Sequence, residues 1–504
     1  VALASHNSLA TEPNLVAADR SKLGMMGGIS SAIALRYPML TDFWQQLTLS
    51  GFALEQWRDA SLIHRLMAPL RRWRQGSWLL PWGDWIGLAI VVLLFALAPY
   101  VSTTLIGVLL LAASALWALL TLTDEAGAGL SPVHLTVAVL WGVMVLATAF
   151  SPVRGAAVSG LIKLTLNILL FLLIARVARR PRARGLLVLA YILTTLPVSI
   201  YGLRQYFFGA TALATWVDSN SAVADVTRVY SFLGNPNLLA GYLIPGVMLS
   251  AAAVFAWPRW VPKGLAILAT LVNTLCLILT LSRGGWIGFL IAGFVLMTLL
   301  VQYWSIWFSP FWKRWALPLL LGGAAAVVIA GVISVDSLRA RVLSIFVGRA
   351  DSSNNFRMNV WAAVIDMIRA RPILGIGPGN DAFNAVYPLF QRPRYTALSA
   401  YSVFLEVMVE AGIVGLLAFL WLLLLIFHQG WTQLQRMRAT QAQQGYWLMG
   451  AIASITGILG QGIADTVMYR PQISTLWWMA IALVASYYPA QQIGSGRSFK
   501  VRQD

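Results

Sequence analysis

The side chains of this chain that could do chemistry are mostly cations standing where cations are costly. Lys163 lies about seven residues inside an apolar run, which at ~1.5 Å per residue puts it roughly 10 Å below a bilayer edge. Burying an ammonium there costs about 2.5–3.5 kcal/mol, so Lys163 either snorkels toward water or holds an anion. Arg283 sits in Ser282-Arg283-Gly284-Gly285-Trp286, at a tight turn between two apolar runs. A guanidinium there can meet a phosphate or bicarbonate with two parallel hydrogen bonds, or can anchor the chain at a membrane interface. Gly284 and Gly288 make a small-xxx-small pair that permits close helix approach. Arg228 leads through Tyr230 into the polar turn Gly234-Asn235-Pro236-Asn237, and Arg357 opens an amphipathic stretch further on. Three carboxylates, Asp465, Glu406 and Glu410, could couple an anion's movement to H⁺ or Na⁺. Tyr469 and Arg470 could equally just neutralise Asp465.

Other chemistries find no footing. There is no G-x-x-x-x-G-K-[ST] loop, so the chain does not hydrolyse ATP by that device. The glycine-rich run Gly375 to Asn380 is interrupted by Pro378 and lacks a strand-turn-helix setting, which excludes a dinucleotide fingerprint. The single cysteine, Cys276, lies in an apolar run, so no internal disulfide forms and no cysteine metal site is expected. No cofactor is expected either. The four histidines, His6, His64, His134 and His428, all fall on or near the side expected to be cytoplasmic.

The elements that must hold these groups are membrane helices. With 59% hydrophobic and 11% charged residues and a mean hydropathy of +0.73, the chain cannot be a soluble protein of its length. The reading is all-α and polytopic, with about twelve transmembrane helices near 84–100, 102–123, 133–150, 156–178, 185–207, 238–257, 263–281, 284–302, 314–334, 403–427, 446–465 and 473–488. The net charge of +18 records topology and anionic lipid, not nucleic acid. Arg176, Arg179, Arg180, Arg182 and Arg184, then Arg259, Lys263, Lys313, Arg314, Arg436 and Arg438, fall on one side. That side is cytoplasmic by the positive-inside rule, with both termini on it and the protein in the inner (plasma) membrane. Residues 335–402 then form a large outer loop between the ninth and tenth spans. Within it Val360, Trp361, Val364 and Ile368 recur at helical spacing before Pro372, predicting an amphipathic helix near 356–370 on the outer membrane surface. Three regions result: a cytoplasmic segment 1–80 with Trp- and Arg-rich membrane-surface helices after a poorly ordered start to residue 38, a transmembrane domain 81–490, and a cytoplasmic tail 491–504.

The pattern of spans, the large loop, S-R-G-G-W at 282–286 and L-E-x-x-x-E-x-G at 405–412 resembles the O-antigen ligase and polymerase superfamily. Within it, the runs at 228–240, 347–357, 375–380 and 398–403 resemble the cyanobacterial branch named for inorganic carbon accumulation, from about residue 40 to 490. The branch implies bicarbonate as substrate and a transporter without catalytic residues, with Arg283, Lys163, Arg357 and Arg228 binding the anion. The superfamily implies instead a ligase that joins a polyprenyl-diphosphate-linked glycan to an acceptor, arginines gripping the diphosphate and a histidine acting as base. Arg283 matches one such arginine, but Tyr401 and Ser402 stand where the ligase's His-Asn would be, and a phenol of pKa near ~10 is a poor base. The expectation is therefore transport first, glycan ligation second, and a noncatalytic subunit of a carbon-uptake complex third.

Overall fold

The computed structural model describes residues 38–49, 76–123, 130–210 and 228–488. The chain divides into two units, 1–53 and 54–504. Of the first, only the helix α1 (Pro38–Leu47) and the turn after it are described, with Phe43 and Trp44 exposed. Trp57, Trp73 and the arginines between them, the start of the chain and the segment 491–504 lie outside the described residues.

The second unit is helical throughout its described length. In order come α2 (Gly83–Leu97), α3 (Thr103–Thr123), α4 (Pro132–Ala149), α5 (Arg154–Val177), α6 (Pro181–Phe208), α7 (Pro236–Ala256), α8 (Trp260–Leu279), α9 (Arg283–Trp304) and α10 (Pro310–Ser334). Three shorter helices follow, α11 (Asp336–Leu343), α12 (Ser352–Ala370) and α13 (Asn380–Val386), and then α14 (Val403–Thr440), α15 (Gln444–Gln461) and α16 (Pro471–Ala485). Every span expected from the sequence is a helix, but ten are long and apolar enough to cross a membrane by composition. The two that fall short, α15 and α16, are surrounded by protein. All but four residues of α15 are buried, so small residues replace large apolar ones along it. A Cβ on Gly288 of α9 would collide with the Gly457 carbonyl of α15, and one on Gly450 would crowd Ala252 of α7. Close packing of this kind drives helix association where lipid removes the hydrophobic effect. It runs through Gly288 and Gly285, not through Gly284 as the small-residue pair had suggested.

The helix ends sort into two groups. At one end, here the basic end, Arg176 and Arg180 both reach Asp84, at 2.9 and 2.8 Å, and the Arg184 guanidinium lies 3.6 Å over Tyr487. At the other, the loop end, residues 335–402 fold into a small body of their own. Its helix α12 is capped by Asp351, whose carboxylate accepts the Asn354 N–H at 2.9 Å. The expected amphipathic helix is therefore present, but its apolar face is turned into protein and not toward lipid. Val360, Val364 and Met367 are buried against Phe383, Tyr387 and Val409, because α13 and the start of α14 supply the apolar partner that the bilayer was expected to provide.

That start of α14 is a half-helix. At Gly412 the backbone turns to φ 65°, ψ −163°, a region essentially reserved for glycine, and the helix resumes beyond it. The unwound turn pairs with the incoming chain: Ile376 N–H donates to Val409 O and Gly377 N–H to Glu410 O, both at 2.9 Å, and Ile413 N–H donates to Pro372 O at 2.8 Å. The glycine-rich run is thus a packing device. Gly375 has φ 63° and lies so close to the Val409 carbonyl that no side chain fits. Helix α14 also runs well past the expected residue 427, since Gln429, Gln433 and Leu434 continue its buried face after the apolar run ends.

Candidate functional site

The site grows from the first turn of α9. Ser282 caps the helix by accepting the Gly285 N–H at 3.2 Å, which fixes Arg283 as its first residue, only 7% exposed. From there the guanidinium reaches into the loop body. Nη1 donates to both Ser344 O and Ser344 Oγ at 3.1 Å, and Nη2 donates to Asp351 Oδ1 at 2.9 Å. The headgroup-anchor reading fails here, because an arginine buried this deeply does not point outward.

Three more arginines collect around it. Arg341 of α11 donates through Nε to Leu281 O at 3.0 Å, and Arg228 donates to Thr280 O at 3.1 Å and to Asn237 Oδ1 at 3.4 Å. Arg357 of α12 donates through Nη1 to Ser353 Oγ at 2.9 Å, while its buried Nε has no partner. Burial first, and then the charges of the other arginines, pull Arg228 down to about 9 and Arg341 down to about 10. Burial also lowers Arg357, with Asp465 opposing that and Arg283 adding to it. At about 9 and about 10, Arg228 and Arg341 stay protonated at neutral pH, and the four guanidinium groups share only two carboxyl groups. For Asp351, burial opposes ionisation, but the hydrogen bonds from Arg283 and the Asn354 N–H and the charges of Arg283 and Arg341 outweigh it and hold the carboxyl below its ordinary range. Asp465 is pushed up by burial, against the pull of Arg357, the Thr466 N–H, the Asn237 side chain and Arg228.

Arg283 and Arg357 face a cavity of about 270 Å³. Its wall also holds Asn354 and Ala464, and its apolar side is formed by Ile287, Ile345, Met358 and Trp361. Gly284 lies in the wall too.

Of the residues singled out in the sequence, the structure brings Arg228, Arg283, Arg357 and Asp465 together. Lys163 stands elsewhere: its Nζ lies 2.9 Å from Asp381 Oδ2, 64% exposed. Lys163 thus does not line the cavity with Arg283 and Arg357, as the expected convergence required. Its long stem lets the ammonium snorkel to the loop end, where Asp381 waits, itself lowered by hydrogen bonds from Lys163 and Ser159. Glu406 and Glu410 are spent on the backbone. Glu406 Oε2 accepts the Ala400 N–H at 2.6 Å and the Thr466 hydroxyl at 3.5 Å, and Glu410 Oε1 accepts the Gly379 N–H at 2.6 Å. Both carboxylates clasp the two ends of the loop 379–400. Tyr401 sits next to the arginines at φ 50°, its ring edge-on to Phe356 at 5.4 Å. Burial and the charge of Asp465 push its phenol up to about 12, so it stays protonated. Ser402 caps α14 as its last non-helical residue, its carbonyl accepting the Glu406 N–H at 2.8 Å. Sequence reasoning missed Asp351 and Ser344. The aspartate immediately before a Ser-Ser-Asn-Asn helix start was a legible cap signal, but nothing in the sequence tied it to Arg283.

Residues 265–420 match the family model described as O-antigen ligase. This stretch is O-antigen-ligase-like. It runs from α8 into α14 and so contains Arg283, Arg341, Asp351, Arg357 and Tyr401, while Arg228, Asp465 and Lys163 fall outside it. The all-helical, multi-pass architecture agrees with that likeness. The match supports the ligase and polymerase superfamily and does not extend to the carbon-accumulation branch or to bicarbonate. Comparison with curated proteins found no match.

Proposed function

We propose that the protein transfers a glycan from a lipid-linked diphosphate to an acceptor, with the arginine cavity holding the diphosphate. The charge of that cavity carries the reading. Four guanidinium groups stand here against two carboxyl groups, Asp351 and Asp465, an excess of two cationic side chains, and a diphosphate bridging a sugar and a lipid carries two negative charges. A monovalent anion such as bicarbonate would leave one guanidinium unpaired. The apolar wall of Ile287, Ile345, Met358 and Trp361 likewise suits a lipid ester better than a small hydrated ion.

In the reaction the acceptor oxygen bonds to the anomeric carbon as that carbon's bond to the diphosphate oxygen breaks, and the electron pair leaves with the diphosphate. Negative charge grows on the leaving group beside Arg283 and Arg357. Fixed donors aimed at developing charge are the largest single source of rate enhancement in most enzymes. The acceptor proton goes to the departing diphosphate, whose terminal phosphate has gained a basic oxygen. Tyr401, held protonated, takes no proton. The loop end faces the outer side, and the basic end the cytoplasm.

The test is transfer by purified protein in liposomes, with a polyprenyl-diphosphate-linked oligosaccharide as donor. Transfer is expected, lost with Arg283→Ala by about a hundredfold or more, and raised by the pair Tyr401→His and Ser402→Asn, which supplies a base of suitable pKa. Labelled bicarbonate accumulating in the same liposomes, with no transfer, would overturn the reading.

A further inference from the structure

Helix α12 carries two polar faces beside its buried apolar one. Asn354, Arg357, Met358 and Trp361 line the cavity. Asn355 and Asn359 lie one residue further round, at roughly 100° per residue, and form a ledge next to it. Asn359 Nδ2 donates to Asn355 O at 2.8 Å and to Asn355 Oδ1 at 3.1 Å, and Asn355 Nδ2 donates to the Tyr395 hydroxyl at 3.0 Å. Among the described residues these bonds leave the Tyr395 O–H without an acceptor and Asn359 Oδ1 without a donor, so the ledge presents one open donor and one open acceptor. Phe356 links it to the site: its ring lies 5.4 Å from that of Tyr401 and 6.2 Å from that of Tyr395.

Two exposed cations stand at the ledge without a counter-ion. Arg349 Nη1 donates only to Asn355 Oδ1, at 3.4 Å, and Arg394, next in the chain to Tyr395, has no partner among the described residues. Arg394 has φ 73°, a left-handed conformation that persists in an arginine only where its surroundings impose it. Tyr395 imposes it here, since its N–H donates to Arg392 O at 3.1 Å and its carbonyl accepts the Tyr387 hydroxyl at 2.7 Å. The neighbouring arginines are already matched: Arg369 and Arg392 both reach Asp366, at 3.3 and 3.0 Å.

An aromatic ring, an open donor and acceptor and two unmatched guanidinium groups are together the chemistry that reads a sugar bearing a carboxylate. The ring packs on the sugar's C–H groups, the amide and phenol meet its hydroxyls, and a guanidinium takes its acid. We propose that the ledge binds an acidic sugar unit of the donor's glycan, and that the protein thereby selects donors carrying uronic acids. This rests on the proposed diphosphate site. The donor is the molecule that site holds, and the ledge and the cavity are adjoining faces of the same turns of α12.

The experiment measures binding to the full chain in nanodiscs of a polyprenyl-diphosphate-linked oligosaccharide with uronate units, and of the same donor with its carboxyls reduced to alcohols. The unmodified protein should prefer the uronate donor by about fivefold, the size expected of two exposed ion pairs. Arg349→Gln combined with Arg394→Gln should bring the two donors within about twofold of each other. Arg369→Gln, which removes an exposed arginine of the same helix that is already paired, should leave the preference in place. Equal affinities in the unmodified protein, a preference that survives the double variant, or one that Arg369→Gln removes as fully, as a general attraction of this surface for anions would give, overturns the inference. So does a free uronate oligosaccharide that binds undiminished beside the bound neutral donor, because the ledge would then serve an acceptor. Inorganic diphosphate, titrated separately, reports on the cavity alone: if it binds in those cases the diphosphate site stands, and if neither it nor either donor binds, that site falls and the ledge's assignment with it.

Discussion

Asp351→Asn isolates the electrostatics of the cavity. Asparagine caps a helix about as well as aspartate, so the bond to the Asn354 N–H at 2.9 Å survives and α12 still begins where it does. What disappears is the negative charge beside Arg283, where Nη2 and Oδ1 stand 2.9 Å apart with the side chains 7 and 12% exposed. Charges about 4 Å apart interact by about 4 kcal/mol at an effective dielectric of ~20. Removing one member of such a pair costs about 3 kcal/mol or more. The free variant should therefore melt well below the unmodified protein. Diphosphate binding should move the other way. The arginines lose one of their two carboxyl partners, and it is the one that an arriving anion must share Arg283 with. A gain of about 1.4 kcal/mol, or tenfold, is a modest expectation.

The assay is thermal unfolding in nanodiscs against a titration of inorganic diphosphate. The gap between the two melting curves should narrow by up to about half as the anion saturates, since binding to the folded state stabilises it by RT ln(1 + [L]/Kd) and a tenfold tighter Kd returns about 1.4 of the ~3 kcal/mol. The pH dependence has a definite sign. A carboxyl whose folded pKa is depressed gives stability that is present above its unfolded pKa of about 3.9 and is lost as pH falls through the lower folded value. The gap between variant and unmodified protein should thus be constant from pH 5 upward and close only in strong acid. Weaker diphosphate binding by Asp351→Asn would refute the idea that Asp351 is the counter-ion that the substrate replaces.

Gly412→Ala should cost more than about 3 kcal/mol, because the backbone there is reserved for glycine and the methyl would strike the Ile373 carbonyl; loss of folded protein on size-exclusion chromatography checks it. Lys163→Ala should change diphosphate affinity by less than about twofold, since it is paired with Asp381 at an exposed position, neither residue forms part of the cavity wall, and such pairs contribute little. A tenfold loss in a binding titration would return Lys163 to the site.

The spans were legible because apolar runs of bilayer length admit one explanation. Even there the reading weakened at α15 and α16, which protein surrounds and which therefore need neither the length nor the hydropathy of a lipid-facing helix. The loop 335–402 was legible as helices and not as a fold. Periodicity in Val360, Val364 and Ile368 shows that a face must be buried, and it is silent about whether lipid or protein buries it.

The same distinction governs the site. Arg228, Arg283 and Arg357 could be chosen from the sequence because an arginine next to a membrane helix is costly enough to need a reason. Lys163 was chosen by the same rule and proved to have a different reason, a carboxylate more than two hundred residues away. Cost identifies a residue that something must compensate, and only geometry says whether the compensation is already present. Lys163 is an exposed cation with its carboxylate partner in place. Around Arg283 the compensation is incomplete: two carboxylates face four guanidinium groups, one buried nitrogen of Arg357 has no partner, and the cavity between them stays open. A folded chain holds such an imbalance at a cost to its own stability, and binding a dianion in the cavity removes it.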